Sequence, residues 1–431
     1  MPTLNKIRSA LAGAKERGGR PPAAPHRPDL RRFRHALTAF FALDGFLFAG
    51  WVVRIPAVKA RTGASDSALG LALLGLSAGA VVTMMATGRL CSRFGNQPVL
   101  LGCGFLLSLS VALPPLARSP LALGLVLLVF GAAYGGMNVA LNSTAVDLVA
   151  ALDRPAMPGF HAAFSLGGML GAGLGGLLAG ALSPTRHLLL LAATGLALAA
   201  LATRPLLRFP LPAARRPAPS RRTGPAPGHR IPRTDADPAS ASAADPPRRA
   251  RRAVAVLGVI ALCTAYGEGA LADWSALHLT DDLGAGPALA AAGYSVFAGA
   301  MTVGRLLGTT LVERLGPGAV LIRGGALGCC GMLLGALAPS VWAALAGFVL
   351  TGLGLANVFP IAIGRAGDLA GPGGVAAAST LGYGGILLGP VAIGLLAERF
   401  SLQAALLTVA LLAGAAALTA AAARRAVLPQ R

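Results

Sequence analysis

Four acidic or basic side chains stand where almost every neighbour avoids water. Asp44 lies in FFALDGFLFAGW, Glu268 and Asp273 lie in AYGEGALADW, and His161 follows Gly159 and Phe160. A carboxylate or imidazole surrounded by Phe, Leu, Ala and Gly can hold and release a proton when its exposure to water changes. Two amides, Asn138 and Asn142 in GGMNVALNST, are spaced four apart and fall on one face of a helix. They suit hydrogen bonding to a polar solute or to a neighbouring helix. Asn357 precedes Phe359 and Pro360, where a proline-induced kink is expected. Trp51 lies seven residues beyond Asp44 on nearly the same helical face, and Trp274 follows Asp273. Either indole could stack on a ligand or anchor at a membrane interface.

These residues need elements to place them, and composition says which kind. The chain has 431 residues, of which 55% are hydrophobic and 12% charged, with a mean hydropathy of +0.68. Water-soluble domains carry about a quarter charged residues. The apolar residues come in blocks of about 20, the length that crosses a bilayer core of about 30 Å. The reading is an all-α, multi-pass membrane protein.

Runs between turn and charge signals give twelve spans. Six precede a polar stretch, at roughly 36–56, 67–87, 97–116, 121–148, 160–182 and 187–207. Six follow it, at roughly 253–276, 286–310, 317–338, 341–364, 375–397 and 402–423. This divides the chain into a basic tail at 1–35, a bundle at 36–207, a Pro-, Ala-, Ser- and Arg-rich linker at 208–252, a second bundle at 253–423 and a short tail at 424–431. The linker and first tail lack the apolar content to fold by themselves and are expected to be disordered.

Within the first span Asp44 falls about eight residues deep, roughly 12 Å by helix rise and near the bilayer midplane. Facing lipid there would cost several kcal/mol, so the side chain is expected to face the bundle interior or a wet cavity. The alternative is a structural acid bonded to a neighbouring helix. Glu268 occupies the corresponding span of the second bundle.

The net charge of +21 is unevenly spread. Nine of the 37 Lys and Arg precede His35, and twelve lie between Arg204 and Arg252. Basic flanks of this sort mark a cytoplasmic side rather than a nucleic-acid surface. With both termini inside, only Arg54, Lys59, Arg61, Arg118, Arg186 and Arg399 fall outside. That points to a bacterial-type inner membrane with cytoplasmic N- and C-termini. Arg54 and Arg305, near span ends, are expected to snorkel to head groups. The five cysteines have no metal-ligand or redox spacing, and no cofactor is expected. No Walker loop or catalytic elbow appears, so the chain reads as neither an enzyme nor an ATP-driven pump.

The two halves resemble each other. CSRFGNQPVLLG near residue 91 matches VERLGPGAVLIRG near 312 at an offset of 221. VFGAAYGGMNVALNSTAVDL matches VLTGLGLANVFPIAIGRAGDL at nearly the same offset, SLGGMLGAGLGG matches YGGILLGPVAIG at 218, and GW matches DW at 223. Two parallel six-helix repeats are a transporter architecture with the substrate at their interface.

The duplication and the loop GRLCSRFGNQ resemble the major facilitator superfamily over residues 36–423. The loop keeps that family's Gly88, Arg93 and Gly95, with Ser92 at the acidic position and Asn96 and Gln97 at the basic pair. The second copy keeps an acid–base pair, Glu313 and Arg314, before Gly316. The resemblance implies a gating role for these six residues. GMLGAGLGG is similar to the family's antiporter signature but carries Ala172 at the proline position, while Pro390 stands in the second half. Gly167, Gly171 and Gly175 form one smooth face suited to close helix packing. NVALNSTAVDL and GFHAAFSLGG look like a bacterial branch near the sugar-permease-like members.

The resemblance implies alternating access for a small solute. Asp44, Glu268 and His161 are then candidates for proton coupling. Trp51, Asn138, Asn142, Asp273, Trp274 and Asn357 are candidates for lining the substrate cavity. The expected partners are a small molecule, protons and the lipid bilayer. Import of a sugar-like metabolite, export of a drug-like amphiphile and a non-transporting sensor or scaffold are the competing functions.

Overall fold

The computed structural model describes residues 27–152, 157–208 and 248–423. Most of the expected tails and linker therefore lies outside the described residues. Twelve of its helices are long and apolar enough to cross a membrane. In chain order they are α1 Leu30–Val52, α2 Asp66–Phe94, α3 Asn96–Leu116, α4 Pro120–Leu152, α5 Gly159–Leu177 and α6 Pro184–Arg208. The second half has α7 Ala250–Asp282, α8 Pro287–Leu306, α9 Pro317–Leu337, α10 Val341–Gly371, α11 Gly373–Arg399 and α12 Leu402–Ala422. All twelve coincide with the spans expected from hydropathy, and the protein is a multi-pass membrane protein.

The boundaries differ where helix formation and hydrophobicity part company. The first helix reaches back to Arg27, inside the expected tail, and ends at Val52 rather than residue 56. Leu30, Phe33 and Leu37 are buried at helical spacing while Arg31, Arg32, Arg34 and His35 face outward. An amphipathic turn continues the helix beyond the apolar zone. The helix containing α7 starts at Arg248, inside the expected linker. α8 stops at Leu306, and Gly308–Leu315 forms a separate short helix where one longer span was expected.

Both halves pack their helices in the same pairs. In the first, α1 lies on α5 and α6, α2 on α4, and α3 on α4 and α6. In the second, α7 lies on α11 and α12, α8 on α10, and α9 on α10 and α12. The repeat extends to single dihedrals. Gly95 has φ 88° and ψ 156°, and Gly316, 221 positions later, has φ 79° and ψ 154°. Positive φ is open to Gly at little cost, which explains why the turn between α2 and α3 and its copy both keep that residue.

The Gly face of α5 packs as its spacing suggested. A Cβ on Gly167 would run into the carbonyl of Ala42, and one on Gly171 into that of Phe46. The backbones of α1 and α5 approach closely because no side chain intervenes. Their partners in the repeat do the same, with Gly385 of α11 against Leu262 of α7.

The halves meet chiefly through α2 against α11 and α5 against α8. These contacts concentrate at the face bearing Lys59, where Gly70 meets Pro390 and Gly394, and Gly176 meets Ala288 and Ala291. At the opposite face Arg208 and Arg248 flank residues 209–247, and it is called the linker face below. There the halves stand apart.

Candidate functional site

A passage runs between the halves in two connected chambers. The inner chamber has a volume of about 310 Å³, and its wall draws on both bundles. The wider one, about 860 Å³, lies toward the linker face. Asn138, Phe164, Ser165, Thr302 and Arg305 border both, which makes the two continuous.

Glu268 and Asp273, one and a half helical turns apart on α7, both line the inner chamber. Glu268 is held by Arg305 of α8, whose terminal nitrogen donates to Oε1 at 3.2 Å and Oε2 at 3.1 Å. Arg305 therefore does not snorkel to head groups; it turns into the passage. The reason lies in α10. Pro360 has no N–H for the carbonyl four residues back, Ala356, which an unbroken helix would have bonded. Regular helix stops at Leu355 and resumes at Val358. The released Ala356 carbonyl accepts from Arg305 Nε at 3.4 Å. Beside it, Asn357 donates through Nδ2 to the Gly304 carbonyl at 2.7 Å. One kink thus fixes the guanidinium that fixes Glu268.

Asp44 sits differently. It borders the wider chamber yet is completely buried, and neither carboxylate oxygen meets a hydrogen-bonding partner among the described residues. Its neighbour Gly45 lines the inner chamber. Asp44 and Gly45 therefore stand where the two chambers adjoin. His161 borders the wider chamber, edge-on to Phe41 with centroids 5.8 Å apart. Asn142 donates to the Asn138 carbonyl at 2.8 Å, so one amide is partly committed to its own helix while both residues face the passage.

Two candidates for the cavity wall lie elsewhere. Trp51 and Trp274 are fully buried within their bundles, and Trp51 packs edge-on against Phe130. Heptad spacing from Asp44 places Trp51 near the same face, but the helix drifts about 20° over that distance. The loop residues split as well. Glu313 and Asn357 border the wider chamber, whereas Arg93 is exposed and lies over the Phe94 ring. Asn96, which replaces a base of the family loop, donates to Asp147 of α4 at 2.6 Å. Gly88 has open space where a Cβ would stand, and Arg314 is exposed.

Several wall residues escaped sequence reasoning. Tyr134, Tyr294 and Tyr383 line the inner chamber, three of only four tyrosines in the chain. Phe48 stacks on Tyr134 with centroids 5.0 Å apart and meets Tyr294 of the other half edge-on. Their common signal is a lone Tyr among small residues, in AAYGG, AGYSV and LGYGG.

The Lys59 face is sealed by polar contacts. Lys59 Nζ lies 2.6 Å from Asp66 and 3.1 Å from Asp281 of the second half. Burial draws the ammonium pKa down, but its bonds to Asp66 and Asp281 outweigh that and hold it above the ordinary lysine value. Glu398 of α11 accepts from the Ser67 amide at 2.9 Å across the same seam. Arg54 also departs from the snorkelling expectation. It is buried, donates to His187 Nδ1 at 2.8 Å and reaches the Leu178 and Ala179 carbonyls in the turn just beyond α5.

The geometry is that of two repeated bundles around a passage closed at one end, and comparison with known proteins agrees. The model of the Major Facilitator Superfamily matches residues 36–317 and 257–431. The chain belongs to that superfamily. It is 37% identical over 395 residues to an uncharacterized MFS-type transporter of Yersinia pestis, covering 90% of this chain and 94% of that one. Among solved structures, a bacterial homolog of the human lysosomal transporter Spinster, in an inward-facing and unoccupied conformation, superposes with a TM-score of 0.73 at 16% identity, covering 94% of this chain and 98% of the other. A D-xylose-proton symporter superposes at 0.66 and 16% identity, covering 90% and 96%. These likenesses carry the fold; this chain is an MFS transporter.

Proposed function

We propose that this transporter couples protons to movement of a small polar solute, a sugar or similar metabolite, by alternating access across a bacterial-type inner membrane. The observation that carries the reading is Asp44, a buried and unpartnered carboxylate at the edge of a passage whose other wall holds the Glu268–Arg305 pair. A charged carboxylate without partners costs several kcal/mol when sealed from water. Such a group binds a proton while enclosed and releases it when rearrangement of the bundles wets it. Glu268 is the second candidate for coupling, and there Arg305 is the cation that competes with a proton for the carboxylate. The amides of Asn138 and Asn142 and the three tyrosines supply hydrogen bonds for hydroxyl groups of the solute.

The present state is open to the linker face and shut at Lys59. The clustering of Lys and Arg on the linker side supports a cytoplasmic assignment for that face. The termini and linker then lie in the cytoplasm.

Replacing Asp44 with Asn in proteoliposomes tests the coupling. The expected result is loss of gradient-driven uptake with solute exchange retained; persistence of gradient-driven uptake makes Asp44 structural. A second reading, proton-coupled efflux of an amphiphile, is favoured by the aromatic wall of Phe48, Tyr134 and Tyr294. Competition by polyols supports the first reading and competition by hydrophobic cations the second.

A further inference from the structure

A groove on the outer surface, away from the passage, runs between α1 and α6 at the linker face. It has a volume of about 470 Å³ and is bordered by Arg32, His35, Ala36 and Ala39 on one side and Leu198, Leu201, Ala202, Arg204, Pro205 and Arg208 on the other. The two walls share one arrangement along their length. On α1 the groove residues follow a spacing of three to four, from Ala39 through Ala36 and His35 to Arg32. On α6 they run from Leu198 through Leu201 and Arg204 to Arg208. Both stripes are apolar toward the bilayer centre and basic toward the linker face. Seven residues separate Ala39 from Arg32 and Leu201 from Arg208, about 10 Å in each helix. Both walls thus change from apolar to basic toward the same end of the groove.

The small side chains of Ala36, Ala39 and Ala202 leave the trough open, and Leu201 stands 74% exposed beside it. Arg32, His35, Arg204 and Arg208 are all exposed. Basic residues at the cytoplasmic ends of single spans are common; a recessed apolar trench shared by two such ends is not. Here an apolar trench between two helices is bordered at one end by Arg32, Arg204 and Arg208.

We propose that this groove is a binding site for an anionic phospholipid of the leaflet at the linker face. One acyl chain lies between Ala39, Leu198 and Leu201, and the phosphate is held by Arg32 and Arg204. Guanidinium groups suit the planar, multidentate recognition of phosphate oxygens. Apolar burial alone selects no head group, so the basic end confers preference for negative lipid over zwitterionic lipid. Charge argues against the chain's own flanking segments as occupants. Residues 209–247 contain six Arg against three Asp, and residues 1–26 contain five Lys and Arg against one Glu. Either would bring like charge to the basic end.

The test uses the full chain, purified in mild detergent and titrated with phosphatidylglycerol or phosphatidylcholine, with bound lipid counted by native mass spectrometry. Retention of phosphatidylglycerol should exceed that of phosphatidylcholine, and the R32Q/R204Q double variant should lose that preference by about tenfold or more. R93Q/R314Q, which removes two exposed charges at the same face but outside the groove, should retain it. Ala39→Trp fills the apolar end without touching a charge and should also reduce phosphatidylglycerol binding while the protein stays monodisperse. Equal retention of both lipids by the parent, or unchanged preference in R32Q/R204Q and in A39W, overturns the proposal. Displacement by millimolar inorganic phosphate would overturn it too, because the site would then be a bare anion contact with no use for the acyl chain. So would gain of lipid binding on deletion of residues 215–245, which would make the linker the resident occupant.

Discussion

Lys59, just beyond α1, and Asp281, at the end of α7, meet at 3.1 Å across the boundary between the two halves. Since α1 and α7 are counterparts in the repeat, the contact joins equivalent ends of equivalent helices at the closed face. An ion pair at such a seam contributes about 0.2–1 kcal/mol. That is enough to bias a conformational equilibrium severalfold without locking it. Asp281→Asn should raise the population open at this face by about twofold to fivefold. The measurement is the maleimide labelling rate of a cysteine at Ala291, buried in the seam, in a background lacking the five native cysteines. The effects of Lys59→Gln and Asp281→Asn should be non-additive, because the two report on one contact.

Proton linkage gives that seam a defined pH window. The Lys59 pKa is raised in the folded state above its ordinary 10.5. A raised lysine contributes stability that is fully present below the unfolded value and lost as pH rises through the folded one. The raw labelling rate follows ionisation of the thiol itself, so the readout is the rate at position 291 relative to that in Lys59→Gln. This ratio should be flat between pH 6 and 9 and rise toward one only above about pH 10.5. A change of that ratio near neutral pH would assign the response to another group.

Close backbone approach at the same seam makes a sharper prediction. A Cβ on Gly70 would stand 2.5 Å from the Pro390 carbonyl oxygen, and one on Gly394 would stand 2.5 Å from that of Asp66. Neither backbone can yield without separating α2 from α11. Gly70→Val should hold this face open and lower transport more than about tenfold, with the probe at Ala291 labelled rapidly. Gly102→Val is the control, since nothing stands within 4 Å of the added carbon. Equal transport by the two variants would remove the seam from the cycle.

The kink in α10 can be tested through the residue it places. Pro360→Ala restores an N–H that competes for the Ala356 carbonyl and loosens Arg305. Arg305→Gln removes the guanidinium from Glu268 altogether. KM for the transported solute should rise severalfold in Pro360→Ala and more in Arg305→Gln. The double variant should match Arg305→Gln alone. Additive losses would mean that Pro360 acts by another route.

The gross plan was readable from sequence for local reasons. Each span declares itself by length and hydropathy, and Gly95 and Gly316 reveal the duplication through a backbone conformation open to few other residues. The positions of Asp44 within α1 and Glu268 within α7 also follow from counting along each span. Which way a side chain turns does not. Arg54 and Arg305 both sit near span ends and read as head-group anchors, yet one caps α5 and the other enters the passage. Their partners lie 124 and 37 residues away, and no local pattern encodes those distances. Trp51 and Tyr134 show the same limit in reverse. The indole suspected of lining the cavity is packed inside its bundle, and the tyrosine passed over lines it.

Hydropathy, turn residues and internal repetition by themselves determined a twelve-helix membrane protein of two related bundles, because burial in lipid and backbone hydrogen bonding act along a single helix. Tertiary structure decided which buried charge meets a partner, where the passage runs and which end of it is shut. Those depend on the rotation of each helix about its axis and on contacts between segments distant in the chain.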